Sequence, residues 1–278
     1  MPAFSKLSKV LPIMLSAFVL MSCSSKKNSL ENKQANLYFG AGTQSLMAGE
    51  YTEALKNLLQ ANKLRPNDSE ILNNLGMTYY LKGERELALR SFDEALKINK
   101  DNSDAKINIA SIHFKEKEFK KAEALYKEVL RDLTYDKQAR TYFNLGMIEV
   151  EYKRDLNKAE EYFKRSAKED ENYCPAHYQL GLIYYTRKQF NTALRNFKDA
   201  SMGICYNSPA PIFHQALTLI ELRNYEDARI KLNEIETRFG KTPYAARARA
   251  KVIELNGMLK NRMIEAKSTS KMLESPEF

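Results

Sequence analysis

The chain has 278 residues, 44% hydrophobic and 28% charged, with a formal net charge of +9. These proportions belong to a globular protein long enough for one large domain or two small ones. Gly (10) and Pro (8) are sparse, which favours long helices with short turns over an all-β design. A basic surplus fits a nucleic-acid or anionic-membrane partner. Here, however, Lys and Arg alternate with Glu and Asp along the helices, as in Lys115-Glu-Lys-Glu118, Glu160-Glu161 and Lys164-Arg165. No basic arm and no nucleic-acid-binding signature occurs, so nucleic acid is not the expected partner.

At the amino terminus Lys6 and Lys9 precede the apolar run Val10 to Met21, followed by Ser22-Cys23-Ser24-Ser25. A charged start, an apolar middle and small residues at the end predict a secretory signal peptide over 1–22. The run is too short to span a bilayer as a mature helix. Residues 23–33 are rich in Ser, Lys and Asn and are expected to form a flexible linker. Leu20-Met21-Ser22-Cys23 resembles the bacterial lipobox, whose Cys is diacylated and becomes the first mature residue. Met21 departs from the small or β-branched residue usual at its place. The resemblance implies a covalent lipid on Cys23. Because Ser24 rather than Asp follows, it also implies a lipid-anchored protein of the outer membrane facing the periplasm. Several acyl chains on one residue anchor stably, whereas one chain is marginal.

From residue 34 the chain repeats itself with a period of about 34. Small residues recur at Gly42, Gly76, Ala110, Gly146, Gly181 and Ala216, in the first helix of each predicted hairpin. Ala54, Ala88, Ala122, Ala159, Ala193 and Ala228 open the second helix, and Leu58, Phe92, Tyr126, Phe163, Phe197 and Leu232 lie one turn on. Ala61, Ala95, Val129, Ala167, Ala200 and Ile235 follow within the next turn. Small residues let paired helices approach, and large ones fill the gap. The pattern resembles a protein of six tetratricopeptide repeats over 34–241, at about 35–68, 69–102, 103–136, 139–173, 174–207 and 209–241. The expected fold is all-α, a right-handed superhelical solenoid.

Three departures break the period. The stretch from Asp132 to Gln138 is long, and the fourth repeat has an extra residue near Arg154-Asp155. Met202 to Pro211 is rich in Gly and Pro and must be a loop. Thr242-Pro243 then starts a helix, which over 242–260 is expected to cap the last repeat. Residues 261–278 are polar and are expected to be a disordered tail.

Beyond Cys23 the cysteines are Cys174 and Cys205. They fall at the two ends of the fifth hairpin, which an antiparallel arrangement brings side by side, so an oxidising compartment favours a disulfide. It would stabilise by roughly 3 kcal/mol in the loop-entropy model. Cys174, His177 and Cys205 are three soft ligands where a structural zinc site takes four. His113, His177 and His214 occupy different repeat positions, so no metal site is expected. Nucleophile elbows, phosphate loops, zinc-protease helices and dinucleotide turns are missing from the sequence. Neither enzymatic activity, a small-molecule substrate nor a cofactor beyond the lipid is expected.

In stacked hairpins of this kind the first helices line a partner-binding groove. The positions facing it are Asn73, Asn74, Met77 and Tyr80; then Ile107, Asn108 and Phe114; then Phe143, Asn144 and Met147. Tyr178, Gln179, Leu182 and Tyr185 follow, and lastly Phe213, His214 and Leu217. Asn both donates and accepts, so a ladder of them can hold an extended peptide, although Asn is also habitual here in the repeat family. The apolar neighbours favour a hydrophobic or β-prone partner segment.

Signal peptide, lipobox and six repeats in a chain of this length resemble the PilF/PilW family of type IV pilus biogenesis lipoproteins. The resemblance implies a pilotin, which binds secretin subunits and promotes their assembly in the outer membrane. The alternative is an adaptor lipoprotein of another envelope system: peptidoglycan-hydrolase scaffolding, β-barrel assembly or gliding motility.

Overall fold

The computed structural model describes residues 11–273, and no strand occurs among them. The chain divides into two units, 1–132 and 133–278. In the first, α1 (Leu11–Met47) pairs with α2 (Tyr51–Leu64), α3 (Ser69–Leu81) with α4 (Arg85–Ile98), and α5 (Ser103–Lys115) with α6 (Phe119–Val129). Neighbouring hairpins stack through α2 on α3 and α4 on α5. The second unit pairs α7 (Gln138–Ile148) with α8 (Leu156–Glu169), α9 (Cys174–Thr186) with α10 (Phe190–Asp199), and α11 (Pro209–Glu221) with α12 (Tyr225–Phe239). Helix α13 (Pro243–Leu273) packs on α12 and α11.

Local chemistry sets where these helices begin. Asp68 accepts from the amides of Glu70 and Ile71 at 2.9 and 3.1 Å, satisfying donors that the first turn of α3 leaves open. Asn102, Asp155 and Asn224 cap α5, α8 and α12 in the same way. The turn inside each hairpin needs one left-handed residue. Gly49 and Gly83 supply it in the first two repeats, but Lys117, Arg154, Lys188 and Arg223 adopt it in the others, at φ of 59 to 61°. Each non-glycine residue there carries a strain on the order of 1 kcal/mol.

The core is the small-against-large pairing. Ala54, Ala88, Ala122, Ala159, Ala193 and Ala228 are all fully buried, as are Leu58, Phe163, Phe197 and Leu232. A Cβ added at Gly76 would lie 2.6 Å from Phe92, and one at Gly181 2.5 Å from Phe197. In the fourth repeat the next buried position belongs to Ser166, not to Ala167, which is half-buried. Ser166 is the residue three beyond Phe163, and its hydroxyl donates to the Ala139 carbonyl at 2.7 Å. The extra residue of that repeat is absorbed by a π-turn at Glu149–Lys153, the usual way a helix accommodates an insertion.

Polar contacts between repeats supplement the packing. Asn102 donates to the Ser69 hydroxyl at 2.6 Å, and Ser69 to the Ala95 carbonyl at 3.1 Å. Gln215 reaches back from α11 to the Phe197 carbonyl at 2.9 Å. Cys174, opening α9, is joined to Cys205 in the short 3-10 turn Gly203–Cys205, with Cα atoms 6.1 Å apart and a sequence separation of 31. A bridge of this span contributes about 3 to 4 kcal/mol in the loop-entropy model. Arg238 donates to the Tyr206 carbonyl at 2.6 Å and lies over the Tyr206 ring, so the same loop is held from α12.

Two sequence expectations differ from the observed backbone. Residues 23–33, expected as a flexible linker, continue α1, because no glycine or proline interrupts the run from Ile13 to Phe39. The expected tail is helical through Leu273 for the same reason beyond Met258. Lys6 and Lys9 of the expected signal peptide lie outside the described residues.

Glu160 on α8 accepts from Tyr184 at 2.7 Å and pairs with Lys164 at 2.6 Å and with Arg187 at the end of α9. Burial pushes its carboxyl up, but the bonds from Lys164, Arg187 and Tyr184 outweigh burial and bring it down to about 2. A carboxylate depressed in the fold contributes stability above its unfolded value, and that contribution is lost as pH falls from about 4.5 towards 2.

Two predictions follow from this packing. Gly76→Ala forces the Phe92 ring to move and is expected to cost about 2 kcal/mol by overpacking, read as a lower urea midpoint; an unchanged midpoint refutes the close-approach account. Glu160→Gln is expected to lower stability at pH 7, with the gap to the parent narrowing as pH drops below about 4.5. Urea titrations at pH 7 and pH 3 measure both gaps.

Candidate partner-binding face

The first helices of the hairpins carry the side chains expected to meet a partner, and the structure sorts them. In the first unit Met77, Tyr80, Asn74 and Phe114 are half-buried. Asn73, Ile107 and Asn108 are buried, Ile107 fully. Asn108 donates to Asn73 at 2.9 Å, Asn73 to Asn74 at 3.3 Å, and Asn74 to Thr43 at 2.9 Å. This ladder ties α1, α3 and α5 to one another. Asn73, Asn108 and Ile107 are therefore removed from the expected contact surface, because neighbouring repeats cover them. The Lys115 ammonium sits 4.8 Å above the Tyr80 ring, and Phe114 meets Phe119 edge-on at 5.4 Å.

The second unit is more aromatic. Phe143 lies 5.6 Å from both Phe163 and Tyr173, and Met147 is half-buried beside α8. Asn144 and Gln179, also half-buried, keep amides without a side-chain partner among the described residues. Leu182, Leu217 and Tyr185 are half-buried as well. Tyr185 packs on Phe190 at 5.5 Å, with its hydroxyl 3.5 Å from Glu221.

Tyr178 sits 5.9 Å from Phe197 and 5.4 Å from His214. Its hydroxyl is 3.2 Å from His214 Nδ1, which lies 2.9 Å from the Ala210 carbonyl. A carbonyl only accepts, so Nδ1 carries the proton and Nε2 is the bare nitrogen of the neutral ring. Burial pushes the Tyr178 hydroxyl up to about 12. Burial likewise lowers His214, with a smaller contribution from the charge of Arg247.

Phe213, expected on the face, is only 3% exposed. It is covered by Tyr244 at 5.6 Å and by the Arg247 guanidinium at 4.4 Å. Arg247 was not foreseen as a contact residue. It lies one repeat period after Phe213, so carrying the period into α13 would have found it. Treating that helix as a cap alone hid the residue.

Nothing in this face brings a nucleophile to a general base. Among the described residues His113, Glu116 and Glu118 place ligand atoms within 4.8 Å of one another. Arg85 already holds Glu116, and Lys121 holds Glu118 with the His113 ring also at hydrogen-bond distance, so neighbouring side chains satisfy these carboxylates. The two sulfurs of Cys174 and Cys205 are bonded to each other. Of Cys23 only the backbone, inside α1, is described. Among the described residues no helix is long and apolar enough to cross a membrane.

Comparison with known proteins agrees with the hairpin geometry. Tetratricopeptide-repeat models match residues 47–83, 69–102, 103–131 and 139–173. No curated protein matches the chain. Among solved structures, PilF of Pseudomonas aeruginosa superposes with a TM-score of 0.67 at 16% identity, over 80% of this chain and 99% of its own. PilW, titled a widely conserved type IV pilus biogenesis factor, superposes with a TM-score of 0.63 at 18% identity, over 77% of this chain and 97% of its own. A chain of the Cut9–Hcn1 hetero-tetramer of the APC/C has a TM-score of 0.66 at 14% identity, over 80% of this chain but 45% of its own. At these identities the likeness is one of fold. The chain is built of tetratricopeptide repeats and shares its fold with PilF and PilW.

Proposed function

We propose that this protein is a lipid-anchored scaffold of the outer membrane that assembles secretin subunits for a type IV pilus. The observation that carries the reading is likeness to PilF and PilW across nearly the whole of their chains, at TM-scores of 0.67 and 0.63. The amino-terminal sequence supports it independently, through the apolar run that ends at Cys23. Cleavage before Cys23 and acylation of its thiol would hold the repeats at the inner leaflet of that membrane. The half-buried aromatic, methionine and leucine side chains of α7, α9 and α11 would then capture an apolar subunit segment. Their role is to raise its local concentration and shield it until the ring closes. Aromatic anchors of this kind carry most of the affinity in an interface.

Deleting the gene should lower secretin multimers in the outer membrane several-fold and abolish surface pili. Multimers at the parental level would refute the pilotin role and favour another envelope system. Cys23→Ala should move the protein from the membrane to the soluble periplasmic fraction. If the variant still fractionates with the outer membrane, acylation is not the anchor.

A further inference from the structure

Along the first helices of the second unit, one register position reads Phe143, Tyr178, Phe213 and then Arg247. The aromatic row thus ends in a guanidinium. Arg247 lies 4.4 Å from the centre of the Phe213 ring and 5.0 Å from that of Tyr244, and the side chain is otherwise exposed. Contact with these two rings, which lie edge-to-face, restricts the side chain, and no hydrogen bond from its N–H donors occurs among the described residues. Neighbouring arginines are neutralised: Arg238 pairs with Glu234, and Arg249 with Glu236 at 3.2 Å. Arg247 has no such carboxylate among the described residues. A planar, preoriented guanidinium matches the two oxygens of a carboxylate.

The surroundings define what else the ligand must carry. Tyr178, Leu217 and Tyr244 are half-buried and offer apolar surface beside the cation. Around the His214 ring stand Tyr178 from α9, Phe197 from α10, Phe213 from α11 itself, and Arg247 from α13. None of these is acidic, so the one strong charge at this place is positive. A membrane surface or a nucleic-acid backbone would call for several unpaired cations together, whereas the adjacent Arg238 and Arg249 are spent on glutamates. A single fixed cation among apolar groups fits one carboxylate within an apolar peptide.

We propose that Arg247, on its Phe213–Tyr244 platform, receives an aspartate or glutamate side chain of an extended partner segment. Apolar residues flanking that carboxylate lie against Tyr178 and Leu217. The proposal rests on the reading of this face as partner-binding and adds the chemistry that the face selects. It also has a linked consequence. A bound carboxylate cancels the positive field that helps keep His214 neutral, so His214 protonates more readily in the complex. By reciprocity the acidic segment binds more tightly as pH falls through the titration range of His214.

The test uses the full chain and two fluorescein-labelled peptides, acetyl-Gly-Val-Ser-Val-Asp-Val-Ser-Val-Gly-amide and its counterpart with Asn in place of Asp. The Asp peptide is expected to bind about tenfold more tightly, the scale of one charge-assisted contact. Arg247→Gln should abolish that preference while leaving the Asn peptide unchanged. Arg247→Lys, which keeps the charge but not the planar fork, should lose most of it. Imidazole NMR should show the His214 titration moving to higher pH when the Asp peptide is added, and staying in place with the Asn peptide. Equal binding of the two peptides, no binding of either, or a preference that survives in Arg247→Gln overturns the proposal. So does competition by anionic phosphatidylglycerol vesicles or single-stranded DNA as effective as that by unlabelled Asp peptide. Peptide selectivity can fail while a deletion strain still lacks secretin multimers, and it can hold in a strain with normal multimers, so the two readings fail separately.

Discussion

Everything in this fold depends on how closely two helices of a hairpin approach. At Gly76 and Gly181 the missing Cβ is the space that Phe92 and Phe197 occupy. The ring packs against backbone, and the helix axes are drawn together by the volume of a side chain that is not there. Protein interiors are packed like crystals, so this contact sets the spacing of each hairpin. That spacing in turn sets where the flanks of the first helices stand. The positions proposed to bind a partner are thus consequences of core geometry.

Repetition imposes the same problem several times, and the chain solves it with different means. The left-handed turn residue is glycine twice and a strained Lys or Arg four times. The extra residue of the fourth repeat becomes a π-turn rather than a break in the hairpin. The long loop after α10 is held by the Cys174–Cys205 bridge and by Arg238 on Tyr206. Each device keeps the spacing of hairpins where the local sequence would relax it. They are what a stack needs when its copies have diverged.

The first helices of the two units carry different side chains on the proposed face. In the first, the asparagines are consumed by a ladder between α1, α3 and α5, leaving Met77, Tyr80 and Phe114 as the available surface. In the second, aromatic rings are layered on one another, with the amides of Asn144 and Gln179 lacking a side-chain partner among the described residues and the layer closed by Arg247. An apolar segment bearing an acidic residue would find complementary groups in the second unit, around Arg247 and the rings of Phe213 and Tyr244.

The sequence by itself determined the repeat, its period and the fold class, because small and large residues recur at spacings only a helical hairpin explains. It also placed both cysteines at ends that the hairpin brings together. What it missed is instructive. Asn73, Asn108, Ile107 and Phe213 share a register with half-buried residues of other repeats, yet burial is decided by which residue of the next repeat lies above them, and that is not written in a single helix. Ser166 as a core position was legible too, because it lies three residues after Phe163 in the regular helix α8, but an alanine at the next position matches the other repeats and masks it. Arg247 was legible in the period, but its meaning came only from the tertiary structure. A guanidinium must lie over aromatic rings, with Glu234 and Glu236 engaged by Arg238 and Arg249, before a surface arginine becomes a place for a ligand.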